Sequence, residues 1–233
     1  MLGDEIWGFS LPPEDTCPGK SKVCIGCCYG KRGFYQMPSV DASLLRNFDL
    51  SRTPEFASAM VQEIREKAVR TCRPHVTGDY YGVRYTRSWI DIVKRSRRTQ
   101  FYSYTRSWWK QPRLLPLLVE LGRLPNFAMW FSWDASMPFP PKRKGIRTCY
   151  LSLDDNDLPS RMTDLVFRDN PQNPMKYDPV GNWVCPKENG VTTTTCSRCG
   201  VCWTKQVLNG TVNLRRRKRN GVEKSVHHEH ALL

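Results

Sequence analysis

Arg73-Pro74-His75-Val76-Thr77-Gly78-Asp79, then residues 84–97, then Gln100-Phe101-Tyr102-Ser103-Tyr104 form the stretch whose order decides the fold. The first piece predicts a short strand closed by Gly78-Asp79. Residues 84–97 carry Trp89, Ile90, Ile92 and Val93 and predict a helix. The third piece is aromatic, alternating and β-prone. Strand, helix, strand is a βαβ unit, which joins parallel strands.

The same rhythm extends in both directions. Upstream, Ile6–Leu11 is strand-like, and Glu55–Arg70 predicts a helix with Phe56, Met60, Ile64 and Ala68 at near-helical spacing behind Thr53-Pro54. Downstream, Leu114–Leu121 is helix-like, with Pro116 arguing for a break or a late start. Strands are expected at Phe127–Phe131, Ile146–Leu151 and Asp164–Phe167, with a Pro- and Lys-rich loop at Pro138–Lys144. The class is therefore α/β. The 233 residues fall short of the roughly 250 of a complete eight-unit barrel. An incomplete β/α (partial TIM-type) barrel is expected, with two Cys-rich metal-binding loops and a basic C-terminal tail. We divide the chain into residues 1–184, a partial barrel with an N-terminal cysteine motif, and residues 185–233, a Cys-rich metal module with the tail.

A content of 39% hydrophobic and 11% aromatic residues supplies a core without disulfide staples. The first residues hold neither a basic nor an apolar signal region, and no apolar run is long enough to span a bilayer. A reducing, cytoplasmic setting and no membrane partner follow as expectations. In that setting clustered cysteines read as metal ligands or redox thiols.

Eight of the ten cysteines fall in two clusters. The first is Cys17, Cys24, Cys27 and Cys28. Three thiolates from Cys17, Cys24 and Cys28 would hold a four-iron four-sulfur (4Fe-4S) cluster with one iron open to a ligand. Four thiolates would instead suit a closed zinc tetrahedron, so engagement of Cys27 separates the two chemistries. The second cluster is Cys185, Cys196, Cys199 and Cys202. Its C-x-x-C-x-x-C run leans toward an iron–sulfur cluster, with zinc as the alternative. Cys72 and Cys149 read as buried small hydrophobes inside strands.

In parallel sheets and barrels the chemistry sits beyond the carboxyl ends of the strands. There the chain places His75, Thr77, Gly78 and Asp79, then Tyr104 to Ser107 with Arg106, then Ser132 to Asp134. His75, Asp79, Arg106 and Asp134 are the candidate catalytic residues, and Thr77, Gly78 and Asp79 the candidate cofactor-binding ones. An imidazole, two carboxylates and a guanidinium could orient a ligand bearing an amine and a carboxylate. Each also has a plain structural reading: His75 as a hydrogen-bonded core histidine, Asp134 as a cap ahead of Ser136, Gly78 as a turn glycine. Trp108-Trp109 reads as pocket lining or as packing at a helix start.

The formal net charge is +14. Residues 204–224 hold seven basic residues against one acidic, dominated by Arg215, Arg216, Arg217, Lys218 and Arg219. Such a run grips nucleic-acid phosphates or is simply a solvated end. The C-terminal His227, His228 and His230 read as a polar tail or as a spare metal ligand.

Five pieces of the chain carry a family resemblance. They are Phe9-Ser10-Leu11-Pro12-Pro13 before Cys17-Pro18-Gly19, Cys28-Tyr29-Gly30-Lys31-Arg32-Gly33, Arg73 to Asp79, Tyr104-Thr105-Arg106-Ser107-Trp108, and Cys196 to Trp203. Together they resemble the phage gene product 88 family, which looks like a remote relative of radical S-adenosylmethionine proteins. The resemblance implies an incomplete β/α barrel with a four-iron cluster on the motif after the first strand. It also implies a strand end at Thr77-Gly78-Asp79 beside the methionine moiety of the cofactor. The spacing here is C-x6-C-x3-C, where radical enzymes usually show C-x3-C-x2-C.

Two functions follow. One is an iron–sulfur enzyme of radical S-adenosylmethionine-like type, acting on nucleic acid or nucleotides. The other is a non-enzymatic zinc-bound protein that binds nucleic acid or a host protein. No G-x-S-x-G, P-loop or H-E-x-x-H pattern supports a hydrolase.

Overall fold

The computed structural model describes residues 5–191 and 193–204. The basic run Arg215–Arg219 and the C-terminal histidines lie outside these. Six strands form one sheet: β1 (Ile6–Phe9), β2 (Thr71–Pro74), β3 (Gln100–Thr105), β4 (Phe127–Trp133), β5 (Ile146–Ser152) and β6 (Leu165–Arg168). Every neighbouring pair is parallel, and the spatial order repeats the chain order. Each connection therefore steps the same way, as in a barrel, whereas a doubly wound sheet reverses direction. The sheet curls as a half-barrel, which agrees with the expected partial barrel.

The helices follow the expected rhythm over the first four strands only. After β1 come α1 (Lys22–Gly26), two 3-10 turns at Tyr29–Lys31 and Gly33–Gln36, α2 (Pro38–Ser51) and α3 (Phe56–Glu66). Helix α4 (Val83–Arg95) links β2 to β3, and α5 (Ser107–Lys110) with α6 (Leu115–Arg123) links β3 to β4. Pro116 is accommodated in the first turn of α6, where its missing N–H costs nothing. Beyond β4 the connections to β5 and β6 carry no helix. The C-terminal cysteines contribute a single turn, α7 (Cys196–Cys199).

Alternation along the strands sorts the core into two faces. Phe101, Phe127, Met129 and Phe131 point toward α3, α4 and α6 and join Met60, Ile64, Trp89, Ile92, Leu118 and Leu121 in the main core. The alternate residues Tyr102, Tyr104, Ala128 and Trp130 line the concave face, and the C-terminal segment covers them. Trp203 packs on Tyr102 with ring centroids 5.2 Å apart. Trp130 Nε1 donates to the Cys202 carbonyl at 2.8 Å, and Arg147 donates to the carbonyls of Val201 and Cys202 at 3.1 and 3.0 Å. The edge of β6 is closed by Val184, with Val166 N donating to Trp183 O and Cys185 N to Val166 O, both at 2.8 Å. Cys185, Cys196, Val201, Cys202 and Trp203, C-terminal to the expected division at 184/185, pack on the concave face of the half-barrel.

Candidate functional site

The loop after β1 returns across the carboxyl ends of β2, β3 and β4. Two close approaches fix it. A Cβ on Gly19 would overlap the Arg106 carbonyl, so the turn carrying Cys17 lies directly on the end of β3. Gly78, at φ +81°, would bring a Cβ within 2.6 Å of Leu11 Cβ and 2.7 Å of Thr16 Oγ1. Gly78 thus lets two chain segments meet. Thr77 serves the same seam, with its hydroxyl donating to the Leu11 carbonyl at 2.9 Å.

Three of the four candidate catalytic residues come together. Arg106 and Asp134 form a buried ion pair through Nη1 and Oδ2. Ser21, the N-cap of α1, donates to the same Oδ2 at 2.5 Å, accepts from Arg106 Nη1 at 3.1 Å, and accepts from Cys24 N at 2.9 Å. One hydroxyl thereby ties the helix bearing Cys24 to the ends of β3 and β4. Burial pushes the Asp134 carboxyl up, but Arg106 and the hydrogen bonds from Ser136, Ser21 and Arg106 hold it below the ordinary range. Asp134 also accepts from Ser136 N at 2.9 Å, the local cap expected of it. Asp79 accepts from Thr105 Oγ1 at 2.6 Å, Tyr80 N at 2.7 Å and Arg106 N at 2.8 Å. Burial raises its carboxyl despite these donors.

His75 stands elsewhere. Strand β2 ends at Pro74, and His75 adopts φ +61°, which turns its ring to the helix side. There it packs against Tyr80 and Trp89, and its Nε2 bonds Tyr85 Oη at 2.8 Å. Burial, then Arg73, lowers its pKa to about 3, so it is a neutral core histidine. Trp108 likewise packs, stacking on Phe131 and donating Nε1 to the Ser132 carbonyl at 3.0 Å.

All ten cysteines are free thiols. Cys17 is pushed up to about 12, by burial first and then by Asp79, with Cys24 and Cys28 adding smaller effects. Burial also raises Cys24, opposed by Arg106. Cys27 differs from them, because its thiol donates to the Val23 carbonyl one turn back at 3.2 Å. In the second cluster, Cys185, Cys196, Cys199 and Cys202 line one cavity of about 20 Å³ on the concave face. Cys202 is raised to about 12 by burial, partly offset by Tyr104. Among the described residues no three thiol, imidazole or carboxylate groups converge as a ready metal shell.

Ser21 is a site residue that a sequence search for chemistry passes over, although serine ahead of Lys22-Val23-Cys24 is an N-cap signal. Arg73 is another. It lies over the Tyr104 ring at 5.2 Å and donates to Tyr29 Oη at 3.3 Å, between the two cysteine clusters.

A parallel half-barrel with a loop of thiols over an ion-paired strand-end rim defines an α/β protein of partial-barrel type. The sequence profile of the gene product 88 family matches residues 2–205. The chain belongs to that family. It is 25% identical over 204 residues to the gene 88 protein of Mycobacterium phage L5, covering 80% of this chain and 77% of that one. It is 22% identical over 201 residues to the gene 88 protein of Mycobacterium phage D29, covering 80% and 78%. No solved structure matches. Nothing in these comparisons extends the relationship to radical S-adenosylmethionine proteins. No helix among the described residues is long and apolar enough to cross a membrane.

Proposed function

We propose that the protein is a thiolate-metal protein whose reactive centre is the loop after β1, an iron–sulfur site of radical S-adenosylmethionine-like type. One observation carries the reading: Cys17, Cys24 and Cys28 share the strand-end rim with Asp79, Arg106 and Asp134, while the Cys27 thiol is turned onto its own helix. The donor set is three soft thiols on one loop, which suits a thiophilic cluster with an open position. When bound, such a cluster supplies one-electron reduction of a sulfonium whose amine and carboxylate it holds. The chain's own residues would do the rest. Arg106, Asp79 and Asp134 would supply the charged groups nearest a ligand's carboxylate and amine, and Ser21 holds α1 in place. Because the thiols stand apart as a shell, loading is expected to draw the loop together.

The second cluster favours a different occupant. Four thiols around a cavity of about 20 Å³ suit a single ion better than a cubane, so structural zinc is the second reading there. Anaerobic reconstitution with iron and sulfide, followed by metal analysis and visible absorption, tests both. Expected are a charge-transfer band retained in Cys27→Ser and lost in Cys17→Ser, Cys24→Ser and Cys28→Ser, with zinc bound in all four. A colourless protein carrying two zincs would replace the first reading by a wholly structural, non-enzymatic one.

A further inference from the structure

The Pro- and Lys-rich loop between β4 and β5 takes no part in the strand-end rim. It borders a cavity of about 630 Å³ that also takes in Ile146 and Thr148 of β5, where the connections to β5 and β6 carry no helix. Its volume falls in the range of small-ligand sites. Lys142, Arg143 and Lys144 line it together with the aromatic rings of Phe139, Tyr177 and Trp183. Two further cations approach the same rings, with Arg161 5.5 Å from the Phe139 centroid and Lys176 5.6 Å from that of Tyr177. No salt bridge to a described carboxylate occupies any of these five cations. The one carboxylate in the lining, Asp164, already accepts from Thr148 N at 2.7 Å and Thr148 Oγ1 at 3.0 Å.

Tyr177 is the informative ring. It is 45% exposed, and its backbone bridges that of Trp183, which is itself built into the β6 edge. An exposed aromatic ring beside cations without carboxylate partners matches a ligand with a flat ring at one end and phosphate at the other. We propose that this groove binds nucleotide units of single-stranded nucleic acid, with a base on Tyr177 and phosphates along Lys142–Lys144. The site is separate from the thiol loop and stands whether or not that loop takes a metal.

Fluorescence anisotropy with the full chain and a labelled thymidine oligonucleotide tests it across a salt series. The triple variant Lys142→Gln, Arg143→Gln, Lys144→Gln is expected to weaken binding by tenfold or more and to flatten the salt dependence by about two units of slope, near 0.7 for each phosphate no longer neutralised. Tyr177→Ala should weaken the oligonucleotide about tenfold with the salt slope unchanged, because a base loses its stacking partner while every phosphate keeps its cation. Inorganic polyphosphate, which has no base, should bind Tyr177→Ala as well as the parent chain. Competition by a mononucleotide at matching affinity would mark the free nucleotide as the source of the same chemistry. Groove variants that bind like the parent, while neutralising Arg215–Arg219 abolishes binding, would overturn the proposal. So would duplex DNA binding as tightly as the single strand.

Discussion

The two cysteine clusters have equal thiol counts and opposite surroundings. The first lies on a loop over charged, hydrogen-bonded strand ends, where Ser21, Asp79, Arg106 and Asp134 share their polar atoms. The second is pressed into an aromatic face of Tyr102, Tyr104, Trp130, Trp183 and Trp203. A polar frame holds a loop by a few directional bonds and leaves groups available to a ligand. An aromatic face holds a segment by area and leaves little free. On the proposed reading the first cluster meets a ligand, whereas the second packs against the concave aromatic face.

That contrast breaks or sharpens under mutation. The largest effect is expected at Trp130, fully buried under the C-terminal segment and the donor to Cys202 O. Trp130→Ala should cost about 4 kcal/mol, read by denaturant unfolding, with residues 196–204 losing hydrogen-exchange protection first. Equal loss of protection at Cys17–Cys28 would erase the distinction. Next is Asp134→Asn, which leaves Arg106 buried without its partner and should cost about 3 kcal/mol. Thiol labelling in that variant should rise at Cys24, whose helix Ser21 ties to Asp134, and stay flat at Cys202.

Acidity separates the regions by sign. Glu188, near Cys185, is raised to about 7 by burial, against a bond from Arg168 N. A carboxyl raised on folding stabilises fully below its unfolded value and loses that contribution as pH climbs through 7, about 3 kcal/mol in all. The C-terminal segment should therefore loosen from pH 5 to 8, and Glu188→Gln should remove the trend. Asp134 is lowered on folding, so its contribution is present above its unfolded value and fades as acid protonates it. The Arg106–Asp134 pair should thus fail on the acid side, whereas Asp79, raised by burial, loses its contribution as pH climbs. Matching pH profiles for Cys24 and Cys202 labelling would contradict this. The smallest effect is Gly78→Ala, about 2 kcal/mol from its left-handed backbone and the close approach of Leu11 and Thr16, with labelling changed at Cys17 alone.

Much of this frame is legible in the sequence. Strands β3 and β4 announce themselves by alternating aromatics, and the winding follows from strand–helix alternation. Helix α2 escapes notice because it buries only Leu44, Asn47 and Ser51, which makes its apolar stripe too thin to register. His75 misleads because a strand's period gives two faces without saying where the strand stops, and a left-handed residue just past Pro74 reverses the side. The concave aromatic face is readable as every second residue of β3 and β4. What covers it is not, because that pairing spans about 70 residues, as from Trp130 to Cys202.

The covering segment is also the last of the described chain to be synthesised. Strands β1 to β6 lie in the order in which a ribosome delivers them, each beside the last. The concave face stays bare until residues 185–204 emerge, so Tyr102, Tyr104 and Trp130 are exposed on a nascent chain that already carries its strand-end rim. A chain cut before Cys185 would leave Tyr102, Tyr104 and Trp130 without the segment that packs on them.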